Sequence, residues 1–319
     1  MSGITIGVLV GTALKNVPIN KQTKKVDSIT NISNKSLKNL NIKYYNIDEV
    51  KKEWDKIDSA NRDIEISGYV LLENGQSLTL NPNKILPSGS TINIYILLLC
   101  LEMIDKGKLQ WDEKLTITPD IIAEGSGWMR YEPIGKEFPL FKVATEMIRV
   151  SDNTATNLLI ERLGGIRKLR NKLDKLKLNQ TKINSLLPDS KGTNKTTVQN
   201  LVKALKLAND GNFLSLKSRD LFREVLSTSI TNSLIPEGLL KGLNLEQREI
   251  DYTLLKKGFR VFNKTGILGL SFADAAIIQM PNASNIFAGF IVQTPVNDPK
   301  ASRIIQKLAA SITNLSKKD

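Results

Sequence analysis

Between Ile94 and Leu101 the chain carries eight successive apolar residues, Ile-Tyr-Ile-Leu-Leu-Leu-Cys-Leu, with Met103 and Ile104 just beyond. A helix apolar on every side must be buried on every side. The run is too short to span a bilayer, which takes about 20 residues, and Glu102 interrupts it. Gly107 supplies the stop. The helix begins near Ser90, and the fold has to pack other layers all around it.

The flanking patterns say which layers. Ile47–Ser59 places Val50, Trp54 and Ile57 at helical spacing. Two strand-like runs follow, 64–72 and 76–80, around Asn74-Gly75, a strong hairpin signal. Helical patterns then occupy 142–150, 155–163, 166–176, 197–208 and 218–228. Strand-like runs return at 259–263, 272–280 and 285–293, with a turn at Pro281-Asn-Ala-Ser. A last helix starts at Pro299, with Ile304, Ile305, Leu308 and Ile312 as its apolar stripe. Connections of hairpin length make the sheet antiparallel. The expected fold is α+β: a five-stranded antiparallel sheet flanked by terminal helices, with an inserted all-helical lobe. The expected α/β lobe comprises 45–88 and 256–319, the helical lobe 89–255, with a cleft between them.

Ahead of this domain, 1–44 is read as a short apolar segment and a polar lead-in. The apolar run Ile4–Leu14 has no Lys or Arg before it, and Lys15, Lys21, Lys24 and Lys25 after it. That charge order is the reverse of a standard export signal. Two readings stay open: an atypical signal-anchor, placing the protein in the periplasm or cell envelope, or a short tail on a cytoplasmic protein.

Composition narrows the chemistry. The 319 residues include no histidine and one cysteine, Cys100. A Ser-His-Asp triad, a His-ligated zinc and an internal disulfide are all excluded. Hydrolytic chemistry would fall to Ser, Lys, Asp, Glu or Tyr, and no metal or organic cofactor is expected. The formal charge is +13, from 45 basic and 32 acidic residues, which favours anionic partners such as an acidic envelope polymer. The densest basic stretch runs from Arg167 to Lys177, with Ile166, Leu169, Leu173 and Leu176 at helical spacing. It reads as an amphipathic surface helix, a candidate contact for an anionic surface. Without interleaved aromatics it is not a nucleic-acid groove.

Three short motifs carry the candidate chemistry. Ser90 opens the buried helix, where the helix dipole and a backbone N–H favour a developing oxyanion. Ser151-Asp152-Asn153 breaks two helices. Lys264-Thr265-Gly266 ends a strand and suits a substrate carboxylate, the glycine permitting close backbone approach. Each is weak alone. Their order and spacing, 61 and then 113 positions apart, carry more weight.

With these motifs the chain resembles the penicillin-recognising serine hydrolases, specifically the class A β-lactamase-like branch of cyanobacterial type. The likeness spans roughly residues 45 to 315 and includes Leu101–Leu109, Met147–Ile160 and Leu187–Asn194. It implies Ser90 as the acylated nucleophile and Ser151 as a proton relay. Asn153 would contact the substrate amide, and Lys264 and Thr265 would hold its carboxylate beside Gly266. The N–H groups of Ser90 and Ile267 would form the oxyanion hole. Trp128 is a candidate aromatic gate at the cleft mouth. The implied ligand is a small molecule or a peptidoglycan-like compound.

Two departures bear on activity. The family has a lysine three residues after the nucleophile, one helical turn along; this chain has Asn93, an amide without basic character. The family's β-lactamases also carry a deacylating glutamate between the second and third motifs. The corresponding stretch, Thr181–Ser190, has Asp189 as its one acid. Three functions remain in play: a weak serine hydrolase with Lys264 recruited as base, a pseudoenzyme that binds peptidoglycan-like ligands or a partner, and a basic surface-binding protein.

Overall fold

A computed structural model describes residues 46–246, 249–295 and 298–316. The apolar segment and lead-in expected over 1–44 lie outside the described residues. The chain runs through α1 (Ile47–Ser59), β1 (Glu65–Leu72), β2 (Ser77–Leu80) and β3 (Leu86–Pro87) into a 3-10 turn, Gly89–Ile92. Next come α2 (Asn93–Asp105), β4 (Lys114–Thr116), β5 (Glu137–Pro139), α3 (Leu140–Arg149), α4 (Asn153–Arg162) and α5 (Gly165–Lys175). Then follow β6 (Lys195–Thr196), α6 (Val198–Ala208), α7 (Leu216–Ser227), α8 (Ile235–Gly242) and α9 (Ile250–Lys256). Strands β7 (Arg260–Leu268), β8 (Ser271–Gln279) and β9 (Asn285–Gln293) and helix α10 (Lys300–Ser311) close the fold.

The main sheet has five antiparallel strands in the order β2-β1-β9-β8-β7, so the α+β architecture is as expected. Side chains alternate across it. From β9, Ile286, Ala288, Phe290 and Val292 face one core, which also holds Val50, Trp54 and Ile305. Phe287 and Ile291 face the other, filled by α2. Trp54 meets Phe290 edge-on at 5.6 Å and donates its indole N–H to Ser311 Oγ at 2.8 Å. Helix α2 is buried along Asn93–Leu101, as its unbroken apolar run requires. Among the described residues, no helix is long and apolar enough to cross a membrane.

The structure departs from the sequence reading in two places that bear on the site. Helices α8 and α9 were not foreseen. The sequence partition carries the helical lobe to residue 255, but Leu234, Ile235, Leu239, Leu240 and Leu254 pack into the core with Trp54. Two glycines let α8 pack there. A Cβ on Gly238 would sit 2.6 Å from Gln306 O, and one on Gly242 2.2 Å from Ala310 O, so both let α8 lie directly against α10. Second, Lys264-Thr265-Gly266 does not end a strand but lies within β7. Buried Lys264 and Thr265 interrupt the apolar pattern that would have extended the strand.

Candidate active site

Ser90 sits in the 3-10 turn that feeds α2, half-buried, its hydroxyl without a hydrogen-bond partner among the described residues. The turn touches β7 backbone to backbone. A Cβ on Gly266 would lie 2.7 Å from Ser88 O, Ser90 N and Thr91 N. From the other side, a Cβ on Gly89 would lie 2.9 Å from Gly266 C and 3.2 Å from Ile267 N. Only glycines allow this approach, and Gly89 also adopts φ +50°. The contact brings the N–H groups of Ser90 and Ile267 to one small region. Gly89 was not singled out from the sequence, where Ser-Gly-Ser reads as an ordinary turn.

Lys264 is on β7 two residues before Gly266 and therefore on the same strand face. It is 1% exposed. Its ammonium donates to Ser151 Oγ and, at 2.7 Å, to Thr265 O. Burial pulls the lysine down to about 7, against the neighbouring Asp274 carboxylate, which favours the charged form. Asp274 lies opposite Thr265 in the register of β7 and β8 and is fully buried. Burial pushes its carboxyl up to about 7, although it accepts from Ile235 N at 2.9 Å and Asn263 Nδ2 at 3.1 Å. The Thr265 hydroxyl is 3.3 Å from Thr231 O. Asp274 was missed from sequence, although an acid inside Phe272-Ala-Asp-Ala-Ala-Ile-Ile was the available signal.

Ser151 occupies the break between α3 and α4 at φ +56°. Asp152 caps α4, accepting from Ala155 N at 3.0 Å, and also accepts from Trp128 N at 2.7 Å and Met129 N at 2.9 Å. Asn153 donates Nδ2 to Glu124 O at 2.6 Å. These two residues hold the 124–129 segment beside Ser151, so part of the motif is structural. Trp128 is anchored as well: its indole N–H donates to Glu146 Oε2 at 2.9 Å and its ring meets Phe138 edge-on at 5.7 Å. Glu146, buried between Lys142 and Arg149, was not legible on a helix that looks solvent-facing there.

At the position of the family's lysine, Asn93 is fully buried. Its Nδ2 donates to Met147 O at 3.0 Å, tying α2 to α3, and its Oδ1 has no partner among the described residues. In the stretch where a deacylating acid was sought, Asp189 accepts from Thr193 N at 2.9 Å and Asn194 N at 2.6 Å, closing its own turn. Asn157, on α4, clamps Leu187 from both sides: Oδ1 accepts from its N–H at 2.9 Å and Nδ2 donates to its carbonyl at 2.8 Å. No group of three or more metal-ligating side chains occurs among the described residues.

The structure thus brings Ser90, Gly266 and Ile267 to one backbone contact and joins Lys264 to Ser151, while Asn93 is turned to Met147. Residues 49–315 match the β-lactamase enzyme family. The chain is 26% identical over 275 residues to β-lactamase BRO-1 of Moraxella catarrhalis, covering 84% of this chain and 80% of that protein. It is 24% identical over 260 residues to β-lactamase VEB-1 of Pseudomonas aeruginosa, covering 75% and 80%. Among solved structures, PBP-A is 31% identical with a TM-score of 0.75 over 83% of this chain and 94% of that one. A PBP-A mutant is known as its acyl-enzyme complex with penicillin G. An ancestral class A β-lactamase, at 21% identity and a TM-score of 0.71 over 83% and 98%, shares the fold. The chain belongs to the β-lactamase enzyme family, with a β-lactamase-like serine hydrolase fold.

Proposed function

We propose that this protein is a slow penicillin-binding acyl-transfer enzyme, in which Ser90 is acylated by a β-lactam or a D-alanyl peptide amide and the acyl group is retained. The observation that carries this reading is the contact between buried Lys264 and Ser151, one strand residue removed from the Gly266–Ser90 junction. A lysine drawn down to about 7 is half neutral near pH 7 and can serve as a base.

Ser90 Oγ attacks the carbonyl carbon while its proton passes to Ser151, whose own proton goes to neutral Lys264. The C–N bond then breaks, and the leaving nitrogen takes a proton back along the same relay. The N–H groups of Ser90 and Ile267 stabilise the oxyanion. A substrate carboxylate held by Lys264 and Thr265 favours charged Lys264 and so weakens it as a base. This conflict, together with Asn93 in place of a lysine, supports slow acylation; a lost general base costs about 10² to 10⁴ in rate. Asp189 is engaged in its own turn, which supports slow deacylation. A peptidoglycan-like substrate places the protein in the periplasm or cell envelope.

The test is the rate of Ser90 labelling by benzylpenicillin between pH 5.5 and 9. The rate should rise through the Lys264 titration and vanish in Lys264→Met. Labelling that is independent of pH and of Lys264 would defeat the relay. A second reading, ligand binding without acylation, is favoured by the Asn93–Met147 bond, which gives Asn93 a structural use. It requires penicillin to bind reversibly and leave Ser90 unmodified.

A further inference from the structure

Away from Ser90, a cavity of about 500 Å³ opens between β1, the chain that follows α5, and α6. Its size falls in the range of small-ligand sites. Tyr69 and Leu71 of β1 line it together with three lysines, Lys177, Lys203 and Lys206. One acid, Asp210, is also present, but its Oδ1 already accepts from Asn212 N at 2.9 Å and Asn212 Nδ2 at 3.1 Å.

The cationic groups are not all loose surface lysines. Lys203 Nζ donates to Lys177 O at 3.0 Å, and Lys177 itself turns the chain at φ +56°. Four side-chain amides, Asn179, Gln180, Gln199 and Asn200, complete the lining with the apolar Val202 and Leu207. The first three make no side-chain hydrogen bond among the described residues. Asn200 is 4% exposed, and its Nδ2 is fixed on Thr181 Oγ1 at 3.1 Å. Thr181 in turn meets Thr196 at 2.9 Å, and Thr196 meets Tyr95 OH at 2.6 Å. The Asn200 carbonyl oxygen is left without a partner among the described residues. One wall is therefore a rigid polar group held from the core with an acceptor to spare.

Ammonium groups match carboxylates or phosphates. Amides that both donate and accept match hydroxyls. Half-buried Tyr69 is the one aromatic ring in the lining, beside Leu71, Val202 and Leu207, whereas single-stranded nucleic acid is held by a succession of aromatic platforms. We propose that this cavity binds an anionic oligosaccharide, with Lys177, Lys203 and Lys206 on its acidic groups and the amides on its hydroxyls. It is separate from the candidate active site. Tyr69 pairs with Gly289, Gly289 with Ala275, and Ala275 with Lys264, so three strand spacings, about 14 Å, separate the two. Helix α6 packs over this row, with Val202 3.3 Å from the Cβ position of Gly289.

The test separates a built site from the general pull of a +13 chain. The full chain is titrated with hexagalacturonate, with neutral maltohexaose and with inorganic phosphate, following heat by calorimetry. Lys203→Gln/Lys206→Gln is compared with Lys168→Gln/Lys175→Gln, which removes the same charge from the exposed face of α5. The expected result is saturable binding of the acidic hexamer, weakened at least tenfold by the cavity pair and less than threefold by the α5 pair. Equal weakening by both pairs, binding of phosphate as tight as of the hexamer, or no saturable binding would each overturn the proposal. Benzylpenicillin labelling of Ser90 is read in parallel, so failure of the acylation reading and failure of this one are distinguished.

Discussion

Gly266→Ala tests whether the contact between β7 and the Ser90 turn assembles the site. The added methyl carbon would stand 2.7 Å from Ser88 O, Ser90 N and Thr91 N, short of ordinary contact at 3.4 Å by about 0.7 Å. All three neighbours are backbone atoms, so no side chain can swing away. The strand and the turn must separate by a comparable distance, which moves the N–H of Ser90 relative to that of Ile267. Overpacking of this kind costs roughly 1–3 kcal/mol of stability. A displacement approaching 1 Å at a catalytic constellation costs on the order of 10²-fold in rate. Quenched-reaction mass spectrometry with benzylpenicillin gives the acylation rate, in the wild type and in an Asn93→Lys background, and thermal unfolding gives the stability. Gly211→Ala is the control, since its Cβ would meet nothing closer than 3.6 Å. Gly266→Ala should acylate about a hundredfold more slowly in whichever background reacts. A rate within threefold of its parent, with Gly211→Ala equally unaffected, would refute the reasoning.

Other expectations follow from the buried charges. Asp274→Asn removes the carboxylate that favours charged Lys264, so the acidic limb of the acylation profile should move to lower pH while affinity for the penicillin carboxylate falls; an unmoved limb would separate Asp274 from the lysine. The same pair shapes stability. Asp274 titrates higher when folded, so stability falls as pH rises from about 4 to about 7, and Lys264 titrates lower when folded, so stability rises from about 7 to about 10. Denaturant unfolding should therefore show a dip near pH 7 that is absent from Lys264→Met/Asp274→Asn, and superimposable profiles would contradict the paired burial. Glu146→Gln weakens the tie that holds Trp128, Lys142 and Arg149, and should cost about 1–3 kcal/mol and broaden the Trp128 fluorescence; an unchanged melting temperature would show the network to be idle.

The sequence made some features plain because they are local. The apolar run of α2 demanded burial on all sides, and the Asn74-Gly75 hairpin announced β1 and β2. Gly266 was read as permitting close backbone approach to a substrate; the approach found in the structure is to the turn of Ser88–Thr91. Features set by distant partners stayed hidden. The use of Gly238 and Gly242 shows only once α10 lies against them. Glu146 looks like a surface acid until Trp128, from 18 residues earlier, donates to it. Lys264 looks like a strand-end cation, and only the fold buries it near the carboxylate of Asp274, which lies across from the neighbouring Thr265. Strand β7 was read too short because a pattern judged by apolar side chains ends at Lys264 and Thr265, which are polar yet buried.

Intact-protein mass spectrometry after incubation with benzylpenicillin, on wild type, Ser90→Ala and Asn93→Lys, bears most directly on the central claim. The expected result is a slow, persistent adduct on the wild type, absent from Ser90→Ala and formed faster in Asn93→Lys. No wild-type adduct at any time, with one appearing in Asn93→Lys, would contradict acylation by the Lys264–Ser151 relay and leave a ligand-binding protein on a hydrolase fold.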